Sequence, residues 1–386
     1  MHSNFWKYFA IISVSVTCVV VISTWMFWFF GSTKSETKNE LRTEEMVEEI
    51  LKSEENVVVV PENPRLRILA AGDIMLDRTM FLLAQRHNDF GYSFRMISST
   101  LQQADLRVVN LEGPITTNKS TANIVNGGRG LNFTFSPKVT TTLKENFDVV
   151  SLANNHTTNF GFEGLEQTKK FLDEAGIGWF GDPNNRATQK LSVIVEKNGF
   201  KIGFVGHHQL IEQGFENVIE EIKRIRPEVD MLIAYPHWGH EYVTSTPSVL
   251  QKEEAYAMID AGVDLIIGAH PHVIQPVELY NDRIIFYSLG NFVFDQYFSL
   301  ETMQGLLLSL VLEKDTENLT TQISLIPVHI NKQSQPFVAD TLERESVLSL
   351  VGQASIGDEN FRKSVTNGMI SFTIPVQKNT SLVPMK

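Results

Sequence analysis

From Arg65 onward the chain repeats one pattern: a short run of consecutive apolar positions, a polar cluster, then a longer stretch with helical spacing. The runs are RLRILAAGD, DLRVVNLEG, FDVVSLANNH, KIGFVGHH, VDMLIAYPHWG, VDLIIGAHPH and RIIFYSLGNF. A strand that is apolar on successive positions is buried on both faces, so the pattern predicts sheets covered by other layers. Helices are predicted between them. Ser136 to Glu145 opens with Ser-Pro, Gly161 to Ala175 closes at Gly176, and Pro247 to Ala261 closes at Gly262. The expected fold class is α/β, a sandwich of two β-sheets flanked by helices.

The first residues follow a different pattern. Tyr8 to Phe30 contains no charged side chain, and at about 1.5 Å per residue it would make roughly 34 Å of helix, enough for a bilayer core of about 30 Å. Residues 8–30 therefore read as a transmembrane anchor after a short cytoplasmic head, 1–7. A cleavable signal peptide is the competing reading, but the aromatic run Trp25 to Phe30 stands where small residues should precede cleavage. One N-terminal span places the bulk of the chain outside the cytoplasm, at the cell membrane. Residues 31–64 are acidic and poor in aromatics, with helical potential in LRTEEMVEEIL, and read as a linker or stalk. Residues 65–330 form the main domain, and 331–386, which carry no comparable motif, read as a C-terminal accessory segment.

Composition narrows the chemistry. The chain has 386 residues, 42% hydrophobic and 20% charged, a globular balance. Its only cysteine, Cys18, lies in the apolar N-terminal run, so a metal site in the main domain must use histidine, amide and carboxylate. A formal charge of -12 with no long Lys/Arg run argues against a nucleic-acid partner. It also means that an anionic partner would need a local cation to receive it.

The polar clusters that end the strands are of one kind: Asp73; Asn110 and Glu112; Asn154, Asn155 and His156; His237; His270 and His272. In open α/β sheets ligands bind beyond the carboxyl ends of strands, so converging ends would build a metal site. Each signal is weak alone. Asp73 and Glu112 could equally be helix caps or buried ion-pair partners, and His156 a hydrogen-bonded turn residue. His-Pro-His at 270–272 places two imidazoles on a stiffened turn. His240 and Glu241, just after His237, read as groups that orient the ligands, Trp238 and Tyr242 as ordinary packing, and His207 and His208 as rim residues at most.

Taken together and in order, GDIMLDR (72–78), NLEGPIT (110–116), LANNHTTNFG (152–161), HWGHEY (237–242), GAHPHVIQ (268–275) and SLGNFVFDQ (288–296) resemble the CapA/PgsA family of poly-γ-glutamate capsule biosynthesis. That family is similar in fold to calcineurin-like metallophosphoesterases. The resemblance implies one or two divalent ions, Mn²⁺, Zn²⁺ or Fe²⁺. Asp73 and His272 would hold the first ion, Asn155, His237 and His270 the second, Glu112 would bridge them, and His156 would be the general acid. Asn110, Asn154, His240, Glu241 and Asn291 would support ligands or substrate. It further implies a place beside the membrane subunits of a polyglutamate synthase, with an anionic polymer or a phosphate ester as substrate. Two positions depart from the pattern. Met75 stands where phosphoesterases have a metal-binding histidine, and Asn159 where an aspartate is frequent. A non-catalytic, polymer-binding module with a degenerate site is the rival expectation.

Overall fold

Alternating residues of the buried strands serve two different cores, and this is why the runs read as continuously apolar. In the computed structural model, which describes residues 64–122 and 131–376, β1 (Arg65–Ile74) sends Leu66, Ile68 and Ala70 into a core shared by two sheets. Leu69 and Ala71 point the other way, into a core under helices. β7 (Met231–His237) divides likewise, with Met231, Ile233 and Tyr235 in the shared core and Leu232 and Ala234 under a second helical layer. Period-2 geometry with both faces apolar yields the uniform pattern.

The larger sheet has nine strands. Its main path, in spatial order, is β14 (Pro336–Val338), β13 (Asn318–Ile330), β12 (Gln304–Lys314), β1, β2 (Leu106–Leu111), β3 (Val149–Ser151) and β4 (Gly178–Phe180). β11 (Asn291–Val293) joins β1, and β15 (Met369–Pro375) joins β13. The second sheet runs β5 (Ser192–Lys197), β6 (Phe200–His208), β7, β8 (Leu265–Ile267), β10 (Arg283–Phe286) and β9 (Val277–Tyr280). Strands β1 to β4 are mutually parallel, as are β6, β7, β8 and β10. Their carboxyl ends therefore open on one side of each sheet.

On the first sheet lie α1 (Arg78–His87), the single turn α2 (Ser98–Leu101), α3 (Val139–Asn146) and α4 (Gly161–Glu174). On the second lie α5 (Phe215–Ile225) and α6 (Val249–Asp260), the latter opened by a capping box between Ser248 and Gln251. α3, α4 and α6 match the predicted helices to within a few residues. The stretch 331–386, expected to be an accessory segment, is continuous with the domain through residue 376. β15 pairs with β13 from Met369 to Pro375, and α7 (Thr341–Ala354) and α8 (Glu359–Thr366) put Leu348, Val351 and Val365 into the shared core. The alternation in β15 is regular, and its weakness in sequence reflects an edge position with one wet face.

The predicted head and anchor, and the stalk up to residue 63, lie outside the described residues. Among the described residues no helix is long and apolar enough to cross a membrane.

Candidate metal centre

Backbone pairing brings the strand-end motifs to one place. Asp73 is in register with Asn110 on β2 and with Asn291 on β11, and His208 on β6 with His237 on β7. Two glycines allow the approach. A Cβ on Gly72 would lie 1.9 Å from the Gly290 carbonyl oxygen, and one on Gly268 would lie 2.1 Å from that of Tyr287. The hydroxyl of Tyr235 donates to the Ala71 carbonyl and ties the two sheets beside the cluster.

Glu112 lies at the centre of this ground. It is fully buried, and neither carboxylate oxygen has a hydrogen-bond partner among the described residues. Leaving a buried polar group unpaired costs about 1–3 kcal/mol, and more for a charged one. One of its oxygens lies 3.6 Å from His272 Nε2 and 3.8 Å from His156 Nε2. Asp73, Glu112 and His272 offer ligand atoms within 4.8 Å of one another, as do Glu241, His270 and His272.

The surrounding hydrogen bonds fix which atoms are free. Asn291 donates through Nδ2 to the His272 and Thr302 carbonyls, so its Oδ1 accepts from His272 Nδ1 at 3.0 Å. That leaves the Nε2 lone pair of His272 facing Glu112, the arrangement of a metal-binding histidine oriented by an outer partner. His270 Nδ1 is buried and unpartnered among the described residues, and its backbone N–H holds Asp73 Oδ2 at 3.0 Å. Both histidines have left-handed backbones, φ 96° at His270 and φ 57° at His272, a strain found where a site over-determines the chain.

Asn154 and Asn110 form a relay. Asn154 Oδ1 accepts the backbone N–H groups of His156 and Thr157, so its amide donates to Asn110 Oδ1 at 3.1 Å. Asn110 Nδ2 in turn meets Asp73 Oδ1 at 2.7 Å and His237 Nδ1 at 3.2 Å. His237 Nε2 then donates to Asn155 Oδ1 at 2.9 Å. Two of the three residues expected at the second metal, Asn155 and His237, thus satisfy each other, and an ion held there would have to part them.

Burial governs the electrostatics. It pushes Asp73 up to about 7, against hydrogen bonds from Asn110 and His270. Glu112 is raised well above the carboxylate range by burial and then by the nearby charges of Asp73 and Glu241. The same burial brings His270 down to about 3 and lowers His237 and His272. Neutral imidazoles around buried carboxylates, with Arg78 the positive charge that bears on Glu112, form a donor set that a divalent cation would complete. Oxygen and imidazole donors suit Mn²⁺, Fe²⁺ or Zn²⁺.

A profile of the family described as "Bacterial capsule synthesis protein PGA_cap" matches residues 67–296. The chain belongs to that family. Every predicted site residue falls within the matched stretch. The chain is similar to the capsule biosynthesis protein CapA of Bacillus anthracis, 30% identical over 305 residues, 74% of this chain and 72% of the relative. It is similar also to the PGA biosynthesis protein CapA of Bacillus subtilis (strain 168), 30% identical over 325 residues, 78% of this chain and 81% of the relative. Among solved structures, a phosphatase from Mycoplasma pneumoniae matches 82% of this chain and 96% of its own at 13% identity and a TM-score of 0.41, a likeness too distant to bear on activity.

The two departures have structural outcomes. Met75 is fully buried, and its sulfur accepts the Asp77 backbone N–H at 3.2 Å, so it is engaged elsewhere. Asn159 fills the place of an aspartate at His156: its Oδ1 accepts the Phe133 N–H at 2.8 Å and lies 3.0 Å from His156 Nδ1. His156 Nε2 is thereby turned toward Glu112. His240 is exposed and makes no hydrogen bond to the cluster among the described residues. Trp238 packs on Tyr287, as expected. Tyr242 does not merely pack; its half-exposed ring stacks over His272 and meets Phe298 edge-on, forming a rim.

Sequence reasoning passed over Arg78 and undervalued His208. Arg78 pairs with Asp295 and lies over the rings of Phe133 and Phe294, which pack against His156 and His272 respectively. His208 is buried, donates through Nδ1 to the Pro183 carbonyl at 2.7 Å and keeps an Nε2 with no partner among the described residues, its ring 6.0 Å from that of His237. The signal for His208 was its place at the end of an apolar run beside the one ending in His237.

Proposed function

We propose that this protein is a membrane-anchored, outward-facing component of poly-γ-glutamate capsule synthesis or export, with a metal-dependent, phosphoesterase-type hydrolytic site. Family membership and the name of the Bacillus anthracis relative support the capsule-polymer role, and the name of the Bacillus subtilis relative supports PGA as the polymer. The uncharged run 8–30 supports the anchor and, with one span, the outward domain. Membrane subunits of the polymer synthase are the expected partners. The observation that carries the hydrolytic reading is Glu112, a buried carboxylate whose two oxygens have no hydrogen-bond partner among the described residues and face imidazole lone pairs.

Asp73, Glu112 and His272 would hold the first ion together with His270, which the resemblance had assigned to the second but whose backbone N–H holds Asp73 and whose ring lies beside His272, and Asn155 and His237 would hold a second once drawn apart. Bound divalent ions supply Lewis acidity, lowering the pKa of water toward about 7 and offsetting charge on a phosphoryl group. The chain's own residues do the rest. Asn291 and Asn110 hold the ring orientations of His272 and His237. His156, held at Nδ1 by Asn159, presents Nε2 to the cluster and passes a proton to the departing oxygen. Burial lowers the pKa of His156, and an anionic substrate beside it favours the protonated form. Phe133 and Phe294 exclude water from the wall behind the rings.

Met75 favours a second reading, in which a centre short of one ligand grips carboxylates of the polymer and turns nothing over. Phosphate-ester turnover with Mn²⁺ separates the two. Under the hydrolytic reading His156→Ala lowers kcat by about 10²–10⁴ while bound metal is unchanged. Metal-loaded protein without turnover, together with polymer binding that survives His156→Ala, would establish the binding module instead.

A further inference from the structure

We propose that Glu241 is a metal ligand, supplying the donor that the chain lacks at position 75. The inference rests on the metal centre proposed above and extends its ligand set to a residue that the motif pattern placed outside it.

A carboxylate oxygen of Glu241 and ring nitrogens of His270 and His272 lie within 4.8 Å of one another. The placement is built by the backbone rather than by a free side chain. Glu241 follows β7 on a loop tied at both ends to the His-Pro-His turn: Trp238 N–H donates to the Ala269 carbonyl at 3.1 Å, and Tyr242 N–H to the Pro271 carbonyl at 2.8 Å. Gly239 N–H donates to Gln209 Oε1 at 2.9 Å. Between these ties the chain turns through left-handed conformations, φ 80° at Gly239 and φ 64° at Tyr242, the latter strained for an aromatic residue. The strained, tethered loop delivers a carboxylate to the two histidines.

An independent observation is the buried ring of His270, whose Nδ1 has no partner among the described residues although the residue is only 5% exposed. An exposed glutamate is most stable turned to water, away from two buried carboxylates and from imidazoles that carry no charge. A divalent cation would make the observed convergence favourable, its charge offsetting the Glu241 carboxylate brought beside the imidazoles of His270 and His272. Exchanging a histidine for a carboxylate also hardens the donor set, which shifts its preference toward Mn²⁺.

The test is Mn²⁺ titration by calorimetry of the full chain and of Glu241→Gln, at low salt and at about 0.5 M KCl, where charges several ångströms apart in water are screened. Glu241 is exposed, so the metal-free variant should unfold at the wild-type temperature. The expected result is at least a tenfold loss of Mn²⁺ affinity in the variant, kept at high salt. Equal affinities, or a difference that disappears at high salt, would overturn the assignment and leave Glu241 as a field effect at most. No Mn²⁺ binding by the wild-type chain would overturn the metal centre itself, a separate failure.

Discussion

Glu112 and Asp73 are poised against His270 in how they respond to pH. In the metal-free chain Asp73 is raised from 3.8 to about 7, so the folded state keeps a proton that the unfolded chain gives up. Its cost to stability is absent below pH 3.8 and grows as pH rises to about 7. His270 is lowered from 6.5 to about 3, so its cost is absent above pH 6.5 and grows as pH falls toward 3. A bound cation must displace the Asp73 proton below about pH 7. The predicted outcome is that Mn²⁺ affinity falls by at least about tenfold per pH unit below that point, the slope for the Asp73 proton alone, while a proton held by the raised Glu112 steepens the fall and extends it to higher pH. Calorimetry in buffers from pH 5.5 to 8 checks this; a flat profile would mean that Asp73 is not a ligand. At this scale the sequence shows most of the set, since Asp73, Glu112, His270 and His272 each follow a recognisable strand. Glu241 and His208 are harder to see. Glu241 depends on a loop returning to Pro271, and His208 on the register between β6 and β7, neither of which is written in local pattern.

The elements were legible where both faces are buried. β1, β2, β3, β6, β7, β8 and β10 stand out because their alternate residues enter different cores, leaving few polar positions, among them Arg67, Arg107 and Lys201 near the strand starts, to break the run. β12 and β13 carry no site residue, and a reading led by motifs passed them by, although they form the longest pairing in the structure, from Gln304↔His329 to Lys314↔Leu319. The C-terminal helices were underrated for a related reason. α7 buries Val347, Leu348 and Val351 but leaves Leu342 and Leu350 exposed, so its apolar face is blurred in sequence. Since Leu348 is fully buried in the shared core, Leu348→Ala should destabilise the whole domain by about 2–5 kcal/mol, read by denaturant unfolding as one transition. A separate early transition for the last 56 or so residues would show instead a loosely attached accessory segment.

The whole molecule places its chemistry where the strand ends of two sheets meet, and that junction explains the burial. One sheet supplies Asp73, Asn110 and Glu112, with Asn154, Asn155 and His156 just past β3; the other supplies His208, His237, His270 and His272. Facing sheets exclude water from the ground between them, which is why the carboxylates are raised and the imidazoles lowered together. The convergence was inferable from strand ends that all carry metal-type donors, whereas the partition of those ends between two sheets came only from the pairing. The central claim is that this buried, under-partnered cluster is a metal centre. Its most direct test is elemental analysis of the purified full chain after reconstitution with Mn²⁺ or Zn²⁺, beside Glu112→Gln. About one or two ions per wild-type chain, and their loss in the variant, are expected. A wild-type chain that retains no metal, or a variant that retains as much, would contradict it.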